Sequence, residues 1–477
     1  MNSSIRRVFW GVVLLFSLLL AYTARWSIVE ADSLKQNSLN KLPLLRELRD
    51  PRGAILTKGG DAIARSVRRD DGNDAVYERR YRQGALFGHP LGYSFASRGA
   101  VGLERYYDDE LVGRREEFVS LLDSLLGRKR EAQTMLTALD EQAQQVAGRA
   151  LGGRAGAVVV IEPRTGRVPV YVSAPGYDPN DVRSAAGYRA LNGRGGEPRL
   201  FDRVSQAAYP PGSTFKVVTA AAALDGGAFR TDSMLDGKSP QDFSGTPLSN
   251  SGDRSFGRIS LTTALTNSVN TVWAQVGEEV GAKTMIEYMK RFGFYAKPPV
   301  DLPRGQVVAS GLRSAGDLLP DDTAIDVARV AIGQERLAVT PIQMATVAAT
   351  VANDGVRVAP HIANEFRDRV GRQTKRIETD RVERVMSSKT AAELTAMMQN
   401  VVAEGTGTAA ALAGIDVAGK TGTAETNGGA SNQAWFIGFA PAQRPRYAIA
   451  VTIQETTEQG GTVAAPIARD VFRSLLQ

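Results

Sequence analysis

An almost unbroken apolar run covers residues 8–24, directly after Arg6 and Arg7. Its length is near the roughly 20 residues that cross a membrane as a helix. Arginines before such a run keep the N-terminus in the cytoplasm and send the remainder of the chain across the membrane. The pattern therefore predicts a cytoplasmic tail at residues 1–7 and a single transmembrane signal anchor at residues 8–29.

A cleaved signal peptide is the alternative for this segment, because Ala21 and Ala24 are small residues near its end. The apolar run is longer than a usual signal-peptide core, and no clean cleavage pattern follows it. We therefore favour an uncleaved anchor in the cytoplasmic membrane. The rest of the chain is expected on the extracytoplasmic side.

Residues 30–150 are rich in charge and carry only short apolar patterns. Apolar residues followed by paired glycines predict a strand and a turn at residues 52–60. The alanine- and glutamine-rich stretch at residues 130–151 predicts a helix that connects this region to the next. We expect residues 30–150 to form a smaller α+β module.

The pattern changes at Gly156, where β-type apolar segments begin. It predicts two hairpins and a closing helix, at residues 157–161 with 168–172, 435–439 with 447–453, and 465–476. The segments between the hairpins are mainly helical. Strands at both ends with helices between them predict one α/β domain at residues 151–477, whose terminal segments meet in a single antiparallel sheet.

Composition narrows the classes of function. A chain of 477 residues with 43% hydrophobic and 23% charged residues can bury a sizeable core in two or three domains. The net charge of +7 is spread without a long basic block, which argues against nucleic-acid binding and fits an anionic envelope polymer or membrane equally well. Cysteine is absent, which excludes disulfides and a cysteine nucleophile. His89 and His361 lie in no ligand-spaced motif, so we expect both to serve packing and expect no metal site.

Ser213 and Lys216 are the first candidate catalytic residues. Two prolines and a glycine precede them and an apolar helix follows, which places Ser213 at a helix N-terminus that favours negative charge. Lys216 lies one turn later on the same face, where desolvation would favour a neutral amine that can act as a base without histidine. The motif alone leaves alternatives open. Ser213 could be a simple N-cap, and the same spacing occurs at Ser38 and Lys41.

Ser268 and Asn270 form a second, weaker motif inside the predicted helical segment 259–280. The hydroxyl could carry a proton between Lys216 and a leaving group, and the amide could hold a substrate carbonyl. Packing or surface polarity is the alternative interpretation of both residues.

The third motif is the Lys-Thr-Gly-Thr run that begins at Lys420. Residues 417–424 alternate as an edge strand that directs a cation and two hydroxyls toward a cleft. Gly422 would let an extended peptide approach the backbone closely. The backbone N–H of Thr423 could complete an oxyanion hole with that of Ser213. A simple β-turn is the alternative for this run.

The order Ser-x-x-Lys, Ser-x-Asn, Lys-Thr-Gly resembles that of penicillin-binding proteins and serine β-lactamases. Segments that resemble class B, monofunctional transpeptidases are residues 52–53, 92–113, 209–216, 339–345 and 405–407. The chain is most similar to the short class B proteins of actinobacteria. It departs from the family where Asp202 replaces an asparagine and where Glu335 replaces the second glycine of Gly-Gln-Gly, which puts fine positioning in doubt and leaves the chemistry unchanged.

The resemblance implies a penicillin-binding transpeptidase or serine β-lactamase-like domain, an antiparallel sheet flanked by helices, after a non-catalytic module. It also implies a reaction. Lys216 deprotonates Ser213, whose oxygen attacks the penultimate carbonyl of a stem peptide that ends in D-Ala-D-Ala. The backbone N–H groups of Ser213 and Thr423 hold the oxyanion. Ser268, with Lys420 nearby, relays a proton to the departing D-alanine. The role of Lys216 as the base is a hypothesis.

The implied substrate-binding residues are Asn270, Thr421, Gly422 and Thr423. Thr421 and Thr423 bind the terminal carboxylate of the stem peptide. An amine of a neighbouring stem peptide then takes the acyl group, so the product is a peptidoglycan cross-link and β-lactam antibiotics are expected to bind. No organic cofactor and no metal are implied.

Three other functions share these motifs. A D,D-carboxypeptidase or β-lactamase would let water reach the acyl-enzyme, and the N-terminal module and anchor favour a transpeptidase over both. A β-lactam sensor needs an inward output domain, for which the tail is too short. A catalytically idle scaffold has no reason to retain the motif residues.

The glycan strand must come from another protein, because residues 30–150 are too few for a glycosyltransferase domain. The resemblance implies a multi-spanning polymerase of the shape-and-division type as the partner. The N-terminal module and the membrane helix are the expected surfaces for that contact.

Overall fold

The computed structural model describes residues 3–25, 51–71, 74–113, 131–192, 198–379 and 382–477. The chain forms two compact units, Met1–Pro51 with Ser66–Glu78 and Arg52–Arg65 with Arg79–Gln477. The first contains helix α1 (Ser3–Ala24), in which Ile5–Thr23 is long and apolar enough to cross a membrane. The apolar side chains of this helix are exposed, as lipid contact requires. Residues 26–29 of the predicted anchor lie outside the described residues.

The remaining helices and the strands alternate along the chain. The helices are α2 (Gly84–Leu91), α3 (Gly102–Tyr106), α4 (Asp108–Val112), α5 (Glu141–Leu151), α6 (Pro179–Val182), α7 (Ala185–Leu191), α8 (Lys216–Asp225), α9 (Leu261–Thr266), α10 (Asn270–Arg291), α11 (Val327–Ala331), α12 (Pro341–Ala352), α13 (Ser388–Ala403) and α14 (Gly460–Leu476). The strands are β1 (Ile55–Leu56), β2 (Ala62–Asp71), β3 (Asp74–Tyr81), β4 (Ser94–Phe95), β5 (Gly99–Ala100), β6 (Thr134–Thr137), β7 (Gly156–Ile161), β8 (Val170–Ala174), β9 (Met234–Asp236), β10 (Gln241–Phe243), β11 (Thr246–Leu248), β12 (Arg258–Ser260), β13 (Gly311–Ser314), β14 (Asp317–Leu318), β15 (Leu337–Ala338), β16 (Val356–Val358), β17 (Ala363–Arg367), β18 (Gln373–Arg376), β19 (Val382–Arg384), β20 (Ala418–Thr426), β21 (Ser431–Ala440) and β22 (Tyr447–Thr456).

The central sheet has the order β20-β21-β22-β7-β8 and is antiparallel throughout. Strand β22 from the end of the chain pairs with β7 from the start of the domain, which confirms the predicted meeting of the terminal segments. Alternate residues of β7 enter different cores. Val158 and Val160 pack in the cluster that contains α5 and α14, whereas Val159 packs in the cluster that contains α12. The sheet is therefore covered by helices on both faces, as expected for the fold class.

A second sheet has the order β18-β17-β6-β1-β2-β3. Strand β6 pairs in parallel with β1, through Met135 and Ile55, and in antiparallel fashion with β17, through Met135 and Phe366. Strands β17 and β18 come from residues 363–376, far along the chain from the other four strands. The sheet built by the early part of the chain is thus completed by a hairpin from the later part.

The predicted helix at residues 130–151 is wrong in its first half. Residues Thr134–Thr137 form strand β6, and the helix begins only at Glu141. The side chain of Asp140 accepts a hydrogen bond of 3.0 Å from the N–H of Ala143, which caps the helix at that point. The upstream residues fill the gap between β1 and β17, so tertiary pairing overrides their local preference.

Buried charge stabilises the early part of the second unit. The carboxylate of Glu104 is fully buried and lies 2.6 Å from the Nε atom of Arg79 and 3.0 Å from a guanidinium nitrogen of Arg52. Tyr81 donates a further hydrogen bond of 3.1 Å. Burial alone would raise the pKa of Glu104, but the two guanidinium groups hold that pKa below its usual value. The carboxylate therefore stays charged and fully hydrogen-bonded in the interior.

Candidate active site

The nucleophile segment is a tight turn at the start of an apolar helix. Residues Gly212–Phe215 form a 3-10 turn that runs directly into α8, so Ser213 lies one turn before the α-helix proper. Gly212 has a φ of 51°, and a Cβ atom there would lie 2.7 Å from the carbonyl oxygen of Thr423. Only glycine allows this conformation and this close approach. The turn is thereby held against β20, the strand that carries the third motif.

Lys216 lies at the centre of the site. Its Nζ atom is 3.0 Å from the Oγ atom of Ser213, 2.7 Å from the Oδ1 atom of Asn270 and 2.9 Å from the carbonyl oxygen of Ser268. The Oγ atom of Ser268 is slightly farther away, at 3.3 Å. The first two predicted motifs therefore converge on one amine.

The environment of Lys216 favours its neutral form. The side chain is fully buried, and burial lowers the pKa of Lys216 well below its usual value. The nearby charge of Lys420 lowers it further. A neutral amine has two N–H groups, which match the carbonyl of Ser268 and the amide oxygen of Asn270 as acceptors. The nitrogen lone pair is then available to the hydroxyl of Ser213.

A break in the helices places Ser268, and here the predicted continuous helix at residues 259–280 is wrong. Helix α9 ends at Thr266, and α10 begins only at Asn270. Ser268 has a φ of 58°, in the left-handed region that a non-glycine residue seldom adopts. This conformation turns both its carbonyl oxygen and its hydroxyl toward Lys216, which an unbroken helix would not do.

Lys420 reaches the same hydroxyl from the opposite wall. It lies on β20, which is an edge strand of the central sheet, as predicted. Its Nζ atom is 2.9 Å from the Oγ atom of Ser268 and 2.9 Å from the carbonyl oxygen of Thr421. The side chain is fully buried, and burial lowers the pKa of Lys420 to about 7. The third motif therefore joins the other two at Ser268.

Gly422 is required by the nucleophile turn. A Cβ atom at this position would lie 2.7 Å from the carbonyl oxygen of Pro211 and 2.9 Å from the Cγ2 atom of Thr214. The sequence-based reason for this glycine was the approach of a substrate peptide. Within the described residues, the close approach is made by the segment that carries Ser213.

Two residues beside the third motif were given no role from the sequence. The Oγ1 atoms of Thr406 and Thr421 are 2.6 Å apart, and the N–H of Gly460 donates to the Oγ1 atom of Thr423 at 3.1 Å. Thr406 lies in the segment 405–407 that had been singled out by resemblance. That segment was the available signal for Thr406, whereas nothing local pointed to Gly460.

The amide of Asn270 has a fixed orientation. Its Oδ1 atom faces Lys216, and its Nδ2 atom donates a hydrogen bond of 3.0 Å to the carbonyl oxygen of Ser249. The predicted contact of this amide is with a substrate carbonyl. The contacts formed within the described chain are with Lys216 and Ser249.

The two departures from the family pattern lie outside this cluster. Asp202 is buried and accepts hydrogen bonds from the hydroxyls of Tyr171, at 2.5 Å, and Ser205, at 2.7 Å. Glu335 is exposed, has a φ of 65° and pairs with Arg336 at 3.0 Å. Neither contacts a residue of the three motifs in the hydrogen bonds given by the described ranges.

Both histidines are buried against backbone carbonyls. A ring nitrogen of His89 lies 2.9 Å from the oxygen of Arg199, and His361 lies 2.6 Å from that of Ala363 and 3.0 Å from that of Thr165. In the part of the chain that the structure describes, no three His, Cys, Asp or Glu side chains are grouped to hold a metal ion.

Two family models match the chain. The model described as the penicillin binding protein transpeptidase domain matches residues 156–473, and the model described as the penicillin binding protein A dimerisation domain matches residues 52–135. The chain is similar to the peptidoglycan D,D-transpeptidase PbpA of Mycolicibacterium smegmatis, at 36% identity over 100% of this chain and 99% of that protein. PbpA of Mycobacterium tuberculosis is 34% identical over the same shares of the two chains.

Solved structures give the same relationship. Penicillin-binding protein A from M. tuberculosis, as its ceftriaxone acyl-enzyme complex, has a TM-score of 0.81 at 30% identity and covers 91% of this chain and 100% of that one. Its penicillin G acyl-enzyme complex has a TM-score of 0.79 at 30% identity and covers 90% and 100%. The D,D-transpeptidase domain of a peptidoglycan glycosyltransferase from Eggerthella lenta has a TM-score of 0.78 at 32% identity and covers 90% and 98%. The chain therefore belongs to the penicillin-binding proteins, and within them to the class B transpeptidases of actinobacterial type.

Proposed function

We propose that this protein is a peptidoglycan D,D-transpeptidase that cross-links stem peptides through an acyl-enzyme on Ser213, and that β-lactams acylate the same oxygen. The observation that carries the proposal is the 3.0 Å separation between the Nζ atom of a fully buried Lys216 and the Oγ atom of Ser213. The relatives named above are D,D-transpeptidases, and the solved neighbours include β-lactam acyl-enzymes.

Acylation begins with proton transfer from the hydroxyl of Ser213 to the neutral amine of Lys216. The oxygen of Ser213 attacks the carbonyl of the penultimate D-alanine, and the tetrahedral oxyanion is held by the backbone N–H groups of Ser213 and Thr423. An N–H in the first turn of a helix has no acceptor within that helix, so that of Ser213 is available. The closeness of Gly212 to Thr423 supports the pairing of these two donors.

Collapse of the tetrahedral intermediate breaks the peptide bond and releases D-alanine, whose nitrogen must gain a proton. The hydroxyl of Ser268 supplies that proton and is reprotonated from Lys216, with Lys420 holding the hydroxyl from the other side. The distances of 3.3 Å and 2.9 Å from the two lysines to this hydroxyl support the relay. The acceptor amine then attacks the ester, and the same groups run in reverse to regenerate Ser213.

The terminal carboxylate of the donor peptide binds beside β20. Thr421 and Thr423 occupy alternate positions of this strand, so their side chains share one face. Gly422 between them lets the strand lie close to the nucleophile turn. Asn270, whose amide also holds Lys216, completes the substrate-binding set.

A D,D-carboxypeptidase would use the same acyl-enzyme with water as the acceptor. The distinguishing experiment incubates the full chain in detergent with a stem peptide ending in D-Ala-D-Ala and an excess of a D-amino acid. Mass spectrometry then separates the transfer product from the hydrolysed tetrapeptide. A dominant transfer product supports the transpeptidase, whereas hydrolysis alone would make the protein a carboxypeptidase. Neither product would contradict the catalytic proposal.

We further propose that residues 8–29 anchor the chain in the cytoplasmic membrane and that residues 30–477 are extracytoplasmic. The absence of cysteine makes the topology directly measurable. Val370 is 75% exposed, so Val370→Cys should react with a membrane-impermeant thiol reagent in intact cells. Ser3→Cys should react only after permeabilisation. Reaction of both, or of neither, in intact cells would contradict this topology.

Residues 30–150 are proposed as a non-catalytic module and residues 151–477 as the transpeptidase domain. The module and the membrane helix are the proposed contacts for a multi-spanning glycan polymerase, which must supply the strands that are cross-linked. Replacement of residues 8–26 with an unrelated membrane helix should reduce co-purification of such a polymerase. Unchanged co-purification after exchange of both the helix and the module would contradict the assignment.

A further inference from the structure

The segment between β9 and β12 leaves and returns at one short ladder. These strands pair through Leu235 and Ile259, and the residues between them include the exposed hairpin of β10 and β11. On its return this segment brings Ser249 and Asn250 to the start of helix α10. Neither residue belongs to the three motifs.

Asn250 is the buried attachment point of this segment, with 4% of its surface exposed. Its Nδ2 atom donates to the carbonyl oxygens of Gly237 at 3.1 Å and Arg254 at 3.0 Å. Its Oδ1 atom accepts from the N–H of Thr271 at 3.0 Å and from the hydroxyl of the same residue at 3.2 Å. All four hydrogen-bonding positions of the amide are therefore used, which fixes its orientation.

These contacts bind the segment to the first turn of α10, next to Asn270. The preceding carbonyl, that of Ser249, is thereby held where it accepts the Nδ2 atom of Asn270 at 3.0 Å. Because a carbonyl can only accept, the amide of Asn270 must direct its N–H toward Ser249 and its oxygen toward Lys216. Asn250 thus acts on Lys216 through two intermediate groups.

The orientation of the Asn270 amide decides what Lys216 does with its lone pair. An amide oxygen facing Nζ takes one N–H of the neutral amine and leaves the lone pair to the hydroxyl of Ser213. A reversed amide would present an N–H donor to the same nitrogen and would compete with Ser213 for the lone pair. We propose that Asn250 is a positioning residue for acylation, which sets the amide of Asn270 through the carbonyl of Ser249. This inference rests on the proposed function.

The test is a double-mutant cycle between Asn250→Ala and Asn270→Ala in the full chain, read as the second-order rate constant of acylation by benzylpenicillin. Asn250→Ala should slow acylation about tenfold, the effect expected when one hydrogen-bonded group loses its orientation. In the Asn270→Ala background the same substitution should cause no further loss, because the group being oriented is gone. Additive effects, or a wild-type rate for Asn250→Ala, would overturn the proposal.

Two further variants separate positioning from general loosening of the fold. Asn250→Asp keeps the acceptor for Thr271 and removes both donors, so it should show the same non-additivity even if the alanine variant unfolds. Asn353→Ala removes one hydrogen bond of a similar, half-buried amide, that to the carbonyl of Val356, and should leave the rate unchanged. A slowed Asn353→Ala would assign the effect to stability and overturn the proposal.

The wild type distinguishes the two levels of the account. Failure of wild-type protein to react with benzylpenicillin would overturn the proposed function and this inference together. Normal reaction of the wild type with an additive cycle would overturn this inference alone.

Discussion

The Nζ atom of Lys420 lies 2.9 Å from the Oγ atom of Ser268, although 152 residues separate the two in the sequence. Lys216 approaches the same oxygen at 3.3 Å. One hydroxyl therefore bridges two fully buried lysines, each with a lowered pKa. Two ammonium groups so close together would repel each other in a dry environment, and this favours an amine that can accept a proton.

Removing the hydroxyl of Ser268 should slow acylation about 100-fold, in the range expected for the loss of a proton-transfer group. Ser268→Ala and Ser268→Gly should lose the same factor, because both lack the hydroxyl. They should differ in stability. Gly accepts the φ of 58° without strain, so Ser268→Gly should be more stable than Ser268→Ala by about 1 kcal/mol in urea denaturation. Recovery of the rate in Ser268→Gly would show that backbone geometry matters and the hydroxyl does not.

The rate of acylation should depend on the protonation of Lys216. The pKa of this group is lowered by burial and by the charge of Lys420, so the amine is neutral at a pH where an exposed lysine is charged. Acylation should therefore fall as the pH decreases through that pKa, because the protonated amine has no lone pair. Rate constants measured from pH 5 to pH 9 with benzylpenicillin, each at a pH where the fold is intact by circular dichroism, test this. A flat profile across that range would argue against Lys216 as the base.

Lys216→Arg is the matched variant for the same claim. Arginine stays charged at every pH in this range, so it keeps the positive charge and removes the base. We expect no measurable acylation by this variant at any pH tested. Acylation at a tenth of the wild-type rate or more, where a tenth corresponds to a loss of about 1.4 kcal/mol, would contradict a general-base role.

The buried Lys420 should also make stability depend on pH. Its pKa of about 7 lies below that of the unfolded chain, so between the two values the unfolded state holds one more proton than the folded state. The free energy of unfolding should therefore rise with pH from about 7 to about 10.4, with a slope of at most about 1.4 kcal/mol per pH unit. Lys420→Met should reduce that slope in urea denaturation at several pH values. An identical slope in both proteins would place the proton elsewhere.

The elements that the sequence predicted correctly are those with a strong local pattern. The two terminal hairpins, the closing helix and the edge strand that carries Lys420 all alternate or repeat in a way that one segment reveals by itself. The break at Ser268 has no such sign. Residues 261–280 contain no proline, the first glycine after the break is Gly277, and each half is helical on its own. Contacts with Lys216 and Lys420 on other elements stabilise the left-handed conformation, so the information is tertiary.

The same reason explains the mistaken helix and the composition of the second sheet. Strand β6 is defined by its neighbours β1 and β17, and β17 lies more than 200 residues farther along the chain. Pairing over that distance leaves no local period that a sequence pattern could show. The contact between Thr406 and Thr421 was likewise visible only once the strand and the loop had been placed together.

Thr406 should affect the binding of a donor peptide through Thr421. Thr406→Val keeps the shape of the side chain and removes the hydroxyl, which leaves Thr421 without its partner at 2.6 Å. We expect acylation by a D-Ala-D-Ala stem peptide to fall about tenfold, the effect of one lost hydrogen bond of about 1.4 kcal/mol. Thr406→Ser keeps the hydroxyl and should stay within about twofold of wild type. Equal losses in the two variants would assign the effect to packing.

The central claim is that Ser213 carries the acyl group, and intact-mass spectrometry tests it most directly. Protein lacking residues 1–30 matches the portion that the anchor would release, and the full chain in detergent serves as its control. Benzylpenicillin should add its full mass once to the wild type and not at all to Ser213→Ala, with an adduct that persists for many minutes. Rapid loss of the adduct would indicate a β-lactamase. An adduct that survives in Ser213→Ala, or no adduct on folded wild-type protein, would contradict the account.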